Sequence, residues 1–183
     1  MMAPKFCPQC STPLVLRKIH GRERETCPTC GETFFHKPAP VVLAVIEHAD
    51  QLVLIRRKLD PLGGYWAPPG GYVEMGESLE DAVVREANEE TGLQVAVDGL
   101  IGVYSQADVR AVILAFRAHS IGGEPVAGDD AGEICLVAPG QLPMQCPPEG
   151  GPPIDRWFYD VIHEVTTPWK WGRQTGARTM MRR

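Results

Sequence analysis

Apolar and polar positions along this chain follow two different periods. "VVLAVIEH" (41–48) and "QLVLIRR" (51–57) are apolar runs rich in β-branched residues on either side of a two-residue "AD" turn, and they predict a β-hairpin. Further along, "LQVAVDGLIGVYSQ" (93–106) and "VRAVILAFRAHS" (109–120) predict a long β-rich stretch, and "GEICLVA" (132–138) one more strand. Between the hairpin and these strands the period changes to that of a helix. Leu79, Val83, Glu86 and Glu90 fall on one stripe, with Ala82 and Glu89 just to its side and Asp81 and Asn88 opposite. Ser78 is a good N-cap with Asp81 three residues on, and Gly92 suits the left-handed position beyond a helix end, so the helix is expected from Leu79 to Thr91. "IDRWFYDVIHEV" (154–165) predicts a second, amphipathic helix. Pro and Gly cluster at 61–71 and 139–153, which predicts loops, and "KPAP" (37–40) predicts a linker. Mixed β-structure with two helices separated in sequence implies an α/β sandwich, with helices on both faces of a mixed sheet.

The first helix carries a problem. Glu86, Glu89 and Glu90 crowd its last two turns, on the arc of its apolar residues. A charge run on a helix is usually a solvated face, but these acids turn toward the fold. The helix dipole disfavours anions at that end, so local stability does not explain them. Carboxylates gathered under partial burial repel, and each tends to take up a proton. A divalent cation lets all of them stay ionised side by side.

Composition narrows the setting. At 183 residues, 44% hydrophobic, the chain suits one full domain plus a small appendage. A net charge of −5 offers no support for non-specific nucleic-acid binding, so a nucleic-acid partner is not expected. No apolar run approaches the length of a membrane span, and "MMAPKF" leads into cysteines rather than a secretory core, so a soluble, cytoplasmic protein is expected. Cys7, Cys10, Cys27 and Cys30 form C-x2-C-x16-C-x2-C, the spacing of a four-thiolate zinc site. Two disulfides or a redox pair are the alternatives. A reducing compartment disfavours the first, and two knuckles of equal spacing the second. Ser11 stands where such a knuckle commonly ends in Gly, as "CPTCG" does at the second. A segment of this size is too small to hold together by burial alone. The expected division is therefore a zinc ribbon at 1–37, a main domain at 38–165 and a tail at 166–183. The tail, with five Lys or Arg and no acids, is expected to be mobile or held by a partner, a homodimer being possible.

Before the acidic helix comes "PPGGYVEMGES". Gly71, five residues, Glu77, seven residues and then "REANEETGL" reproduce G-x5-E-x7-R-E-U-x-E-E-x-G-U, with Ala87 and Leu93 at the apolar positions. The chain thus resembles the Nudix hydrolases, tightly over this box and loosely over 38–165. That resemblance implies an α/β/α sandwich, with magnesium or manganese held by Glu86, Glu89 and Glu90 and helped by a main-chain carbonyl near Gly70–Gly71. It also implies a structural pairing of Arg85 with Glu77. The reaction implied is metal-assisted attack of water on a phosphorus of a nucleoside diphosphate linked to another moiety. Glu89 and the loop acid Glu133 are the candidate general bases, with Asp129, Asp130 and Glu124 competing with the latter. Arg56 and Arg57 adjoin in a strand and point to opposite faces, leaving one for phosphate. Arg57 and Tyr65 are the candidate substrate contacts. Tyr65, Trp66, Phe34 and Phe35 could stack on a base or belong to the core.

A ribbon before a Nudix domain resembles the zinc-ribbon enzymes acting on NADH, ADP-ribose or FAD. The NADH group carries an S-Q-P-W-P-F-P-like motif where this chain has "YSQADVRAVILAF", which leaves ADP-ribose as the first expectation. The alternative from another class is a non-catalytic sensor whose ribbon binds nucleic acid or protein.

Overall fold

The computed structural model describes residues 5–128, 131–138, 141–143, 145–146 and 153–167. Backbone contacts divide the chain into Met1–Lys37 and a second unit that begins at Pro38.

In the first unit β1 (Val15–Ile19) and β2 (Arg22–Thr26) pair antiparallel. His20 (φ 50°) and Gly21 (φ 79°) both adopt left-handed backbone between them, the turn whose twist matches that of the flanking strands. Two knuckles repeat one hydrogen-bond pattern. Cys7 N donates to Thr12 O and Ser11 N to Cys7 O, each at 2.8 Å, while Cys27 N donates to Glu32 O at 2.8 Å and Gly31 N to Cys27 O at 3.0 Å. Ser11 (φ 55°) makes the left-handed turn that Gly31 (φ 78°) makes in the second knuckle.

The second unit is built on one mixed sheet. Its strands are β3 (Ala39–His48), β4 (Gln51–Arg57), β5 (Trp66–Ala67), β6 (Gln94–Ser105), β7 (Ala111–Gly122) and β8 (Ala131–Val137). The helices are α1 (Leu79–Thr91) and α2 (Pro153–Thr166). The order is β5-β4-β3-β7-β6, with β8 on β4, and β3 runs parallel to β7 while the other pairs are antiparallel. Two sequence expectations are corrected here. The linker placed at 37–40 loses Ala39 and Pro40 to β3, because they pair in register with Ala111 and Val112 of β7. The loop placed at 61–71 contains β5, whose Ala67 pairs with Ile55.

Strand β3 is buried on both faces, as a strand covered on both sides must be. Val42, Ala44 and Ile46 join Val83 and Ala87 of α1 in one core, and Leu43 and Val45 join Val161 and Val165 of α2 in the other. At about 1.5–3 kcal/mol per buried Val or Ile, these two layers hold both helices on the sheet. No helix among the described residues is long and apolar enough to cross a membrane. The basic tail beyond Thr167, most of the 139–153 loop, and Asp129 and Asp130 lie outside the described residues.

Candidate active site

Helix α1 is fixed at both ends. Ser78 Oγ accepts from Asp81 N at 3.1 Å and Ser78 N donates to Asp81 Oδ2 at 3.2 Å, which completes the capping box. Gly92 (φ 69°) ends the helix and donates to Asn88 O at 2.8 Å. Between these caps Ala82, Val83, Ala87, Glu90 and Thr91 are buried. The three glutamates grade outward: Glu90 is 8% exposed, the Glu86 side chain 13% and the Glu89 side chain 57%.

The "PPGG" segment runs beside β3. Ala44 N donates to Pro69 O at 2.8 Å, Val42 N to Gly71 O at 2.9 Å and Val73 N to Pro40 O at 3.1 Å. This lays the two glycines against the acids of α1. Gly70 N donates to Glu90 Oε2 at 2.7 Å. A Cβ on Gly70 would come 2.9 Å from Leu43 Cα, and one on Gly71 would come 2.6 Å from Glu86 Cδ and 2.7 Å from its Oε2. Only glycine lets the loop backbone and the carboxylates approach this closely. Burial pushes the Glu86 carboxyl upward, and the neighbouring Arg85 guanidinium opposes that.

All five N–H groups of Arg85 find acceptors. Nε donates to Glu77 Oε2 at 3.0 Å and Nη2 to Glu77 Oε1 at 2.8 Å and to Tyr72 O at 2.9 Å. Nη1 donates to Glu86 Oε1 at 2.8 Å and to Glu89 Oε2 at 3.0 Å. The Arg85 bonds, with a 2.7 Å bond from Glu74 N, hold the Glu77 carboxyl down at about 2.

The remaining candidates separate. Arg57 lies with its Nε donating to Pro61 O at 2.8 Å, and burial lowers its pKa while the charges of Glu90 and Asp60 oppose that. Tyr65 is tied to Arg57 by its backbone, Arg57 N to Tyr65 O at 2.9 Å, but its side chain packs with Leu62, Ala67 and Ile162. Glu133 does not join the cluster. Along β8, Ile134 and Leu136 face the α1 core and Cys135 the α2 core, so the two-residue period turns Glu133 away from α1. There it pairs with Arg56 at 2.9 Å. Val126 N donates to Thr91 O at 2.9 Å and Gly128 N to Glu90 O at 3.0 Å, satisfying carbonyls that a helix end leaves open. A Cβ on Gly128 would come 2.9 Å from Glu89 C and 3.2 Å from Glu90 Cα. Nothing local in "GEPVAG" announces this contact; only the tertiary approach does.

Two sets of donors are candidates for metals of different kinds. In the second unit Glu86 and Glu90, seated on the Gly71 and Gly70 backbone, with the more exposed Glu89 beside them on α1, form an oxygen-only set that could hold a hard divalent cation. In the first unit the ligand atoms of Cys7, Cys10, Cys27 and Cys30 all lie within 4.8 Å of one another. Cys10–Cys27 and Cys7–Cys30 stand at 3.4 and 3.6 Å as free thiols. A tetrahedral zinc with Zn–S near 2.3 Å requires sulfurs about 3.8 Å apart, so the group could close on such an ion. Cys30 N donates to Cys27 Sγ at 3.4 Å, which lowers the pKa of that thiol, while the neighbouring Cys27 and Cys7 sulfurs push the Cys30 thiol up.

The chain is similar to known proteins. Residues 36–160 match the family described as the NUDIX domain. The ADP-ribose pyrophosphatase of Methanocaldococcus jannaschii is 48% identical over 110 residues, covering 58% of this chain and 65% of that protein. The NAD-capped RNA hydrolase NudC of Stutzerimonas stutzeri is 32% identical over 123 residues, covering 67% of this chain and 43% of that protein. The chain thus spans less than two thirds of the length of either relative. Among solved structures, a NUDIX hydrolase from Nitrosomonas europaea aligns with a TM-score of 0.72 and 30% identity, over 76% of this chain and 81% of that one. With its box on the loop and helix just described, its mixed sheet between two helices and a family match over most of its length, the chain belongs to the Nudix family.

Proposed function

We propose that this protein is a metal-dependent pyrophosphohydrolase, cleaving the diphosphate of a nucleoside diphosphate joined to a second moiety. ADP-ribose is the first substrate, with FAD and NADH as further candidates. The observation that carries the reading is the seating of Glu86 and Glu90 against Gly71 and Gly70, which gathers carboxylates on a backbone with no side chains of its own. The 48% identity to a protein named an ADP-ribose pyrophosphatase supports the choice of substrate. Glu86, Glu89 and Glu90, with a main-chain carbonyl of the Gly70–Gly71 turn, would hold magnesium or manganese. Bound there, the ion supplies an activated water near neutral pH and offsets charge on the diphosphate.

The residues of the chain do the rest. Arg85 ties the Glu77 loop to α1 and sets one positive charge between Glu86 and Glu89. Glu90, held by Gly70 N, is fixed in direction. Glu89 is the most exposed of the three and is the proposed proton acceptor for the attacking water. Arg57, whose charge lies near Glu90, is the proposed phosphate contact and Tyr65 a further substrate contact. In the ribbon, Cys7, Cys10, Cys27 and Cys30 would hold a structural zinc.

The test is incubation with ADP-ribose, FAD, NADH and nucleoside triphosphates in magnesium, resolved by chromatography. AMP and ribose 5-phosphate from ADP-ribose, abolished by EDTA, are expected. Return of every substrate intact would replace the enzyme with the ligand-binding alternative.

A further inference from the structure

The net charge of −5 conceals two halves of opposite sign. Residues 1–37 carry six Lys or Arg against three Glu, so the acidity lies in the remainder. Within the ribbon hairpin the charges are sorted again. In a strand successive side chains point to opposite faces, so "RERE" (22–25) sends Arg22 and Arg24 one way and Glu23 and Glu25 the other. The register places Arg17 opposite Arg24, and Ile19 opposite Arg22. Residues directly opposite share a face, so Arg17, Arg22 and Arg24 lie together without an acid of either strand among them.

Like charges directly opposite weaken a strand pair. Among the described residues, no ion pair involves Arg17, Arg22 or Arg24. Glu25 on the other face is taken by His36 at 2.9 Å. Arg24 Nε is buried with no hydrogen-bond partner among the described residues. Its guanidinium lies 4.5 Å from the Phe35 ring centroid, and Phe35 remains 50% exposed. Three cations on one face of a short hairpin, with a half-open aromatic ring against Arg24, match a ligand that alternates phosphates with flat, unstacked bases.

We propose that the Arg17–Arg22–Arg24 face of the ribbon, together with Phe35, binds single-stranded nucleic acid. The arginines take successive phosphates, and the open side of Phe35 stacks on a base. A duplex hides its base faces, and an acidic protein segment has none, so both bind more weakly.

The experiment uses the full chain with its metals, labelled U15 RNA and dT15 DNA, a matched duplex and a labelled polyglutamate peptide, followed by anisotropy from low to moderate salt. Arg17→Ala/Arg22→Ala alters two exposed positions and spares Arg24, so thermal melting should be unchanged. Wild type should bind the single strands. The double variant should bind at least tenfold more weakly, its salt slope shallower by about 0.7 for each phosphate that an arginine no longer neutralises. Phe35→Ala should weaken binding with the slope kept. Absence of single-strand binding by the wild type, equal binding by the double variant, or polyglutamate or duplex binding as tight as U15 would each overturn the proposal. None of these readouts depends on hydrolysis, so they stand apart from the proposed enzymatic activity.

Discussion

Arg85 and Glu77 meet fork to fork, Nε to Oε2 at 3.0 Å and Nη2 to Oε1 at 2.8 Å, across the loop that enters α1. A bidentate pair of this kind fixes direction as well as distance. Its remaining N–H groups reach Glu86, Glu89 and Tyr72 O, so a single guanidinium sets the loop, the helix and two of the three site carboxylates.

This pair should be visible in the pH dependence of stability. The Glu77 carboxyl is held at about 2 in the fold, against about 4.3 for an unfolded glutamate. A depressed carboxyl contributes stability above its unfolded value and loses it as pH falls toward its folded value. The excess stability of wild type over Glu77→Gln should therefore be constant above about pH 5 and shrink from about pH 4.3 to about 2. Denaturant titrations at pH 7, 5, 4 and 3 without added divalent ions would show it. A difference that ignored pH would mean that the pair acts by shape alone.

Glu86→Gln and Glu90→Gln should fold and lose activity by roughly 100-fold or more, because an amide keeps the shape but not the charge that holds a cation. Glu90→Gln retains an oxygen for the Gly70 N–H, so its melting temperature should stay close to wild type. Turnover on ADP-ribose alongside thermal melts separates the two effects, and near-normal turnover in a folded variant would rule out the carboxylates as ligands.

Gly128→Ala tests the strap across the end of α1. Its Cβ would press on the backbone of Glu89 and Glu90, and such overpacking costs about 1–3 kcal/mol. We expect weaker Mn2+ binding, read by the electron paramagnetic resonance of the ion without substrate. Ala127→Ser, at an exposed neighbour, should change neither stability nor Mn2+ binding. Wild-type stability and Mn2+ affinity in Gly128→Ala would show that the strap does not brace the helix.

The ribbon should carry one zinc per chain through its four thiolates, since the four sulfurs gather within reach of one ion, and its folding should then be coupled to that ion. Stripping zinc with a strong chelator should remove amide protection from 5–37 while α1 and β3 keep theirs, as hydrogen exchange by peptide would report. Two disulfides by mass spectrometry and no zinc would reverse the assignment.

The features legible in the sequence are local ones. The α1 boundaries follow from Ser78, Asp81 and Gly92, because caps act within one turn. The stripe that buries Glu90 follows from the helical period. The box spacing identifies the loop and helix because both lie in one continuous segment. The strand bounds are less legible at Ala39 and Pro40, where pairing with a strand some seventy residues away outweighs a linker-like composition.

By itself, then, the sequence determined the caps, the acidic stripe and the paired knuckles, all of which depend on neighbours within a few residues. The tertiary structure alone decided which long-range partners these groups meet. It seated Glu86 on Gly71, set Gly128 against the helix end and sent Glu133 to Arg56 on the other face. The reason is register: side chains alternate with a period of two, so a one-residue slip in pairing moves a residue to the opposite face, and only packing against distant strands selects between the two.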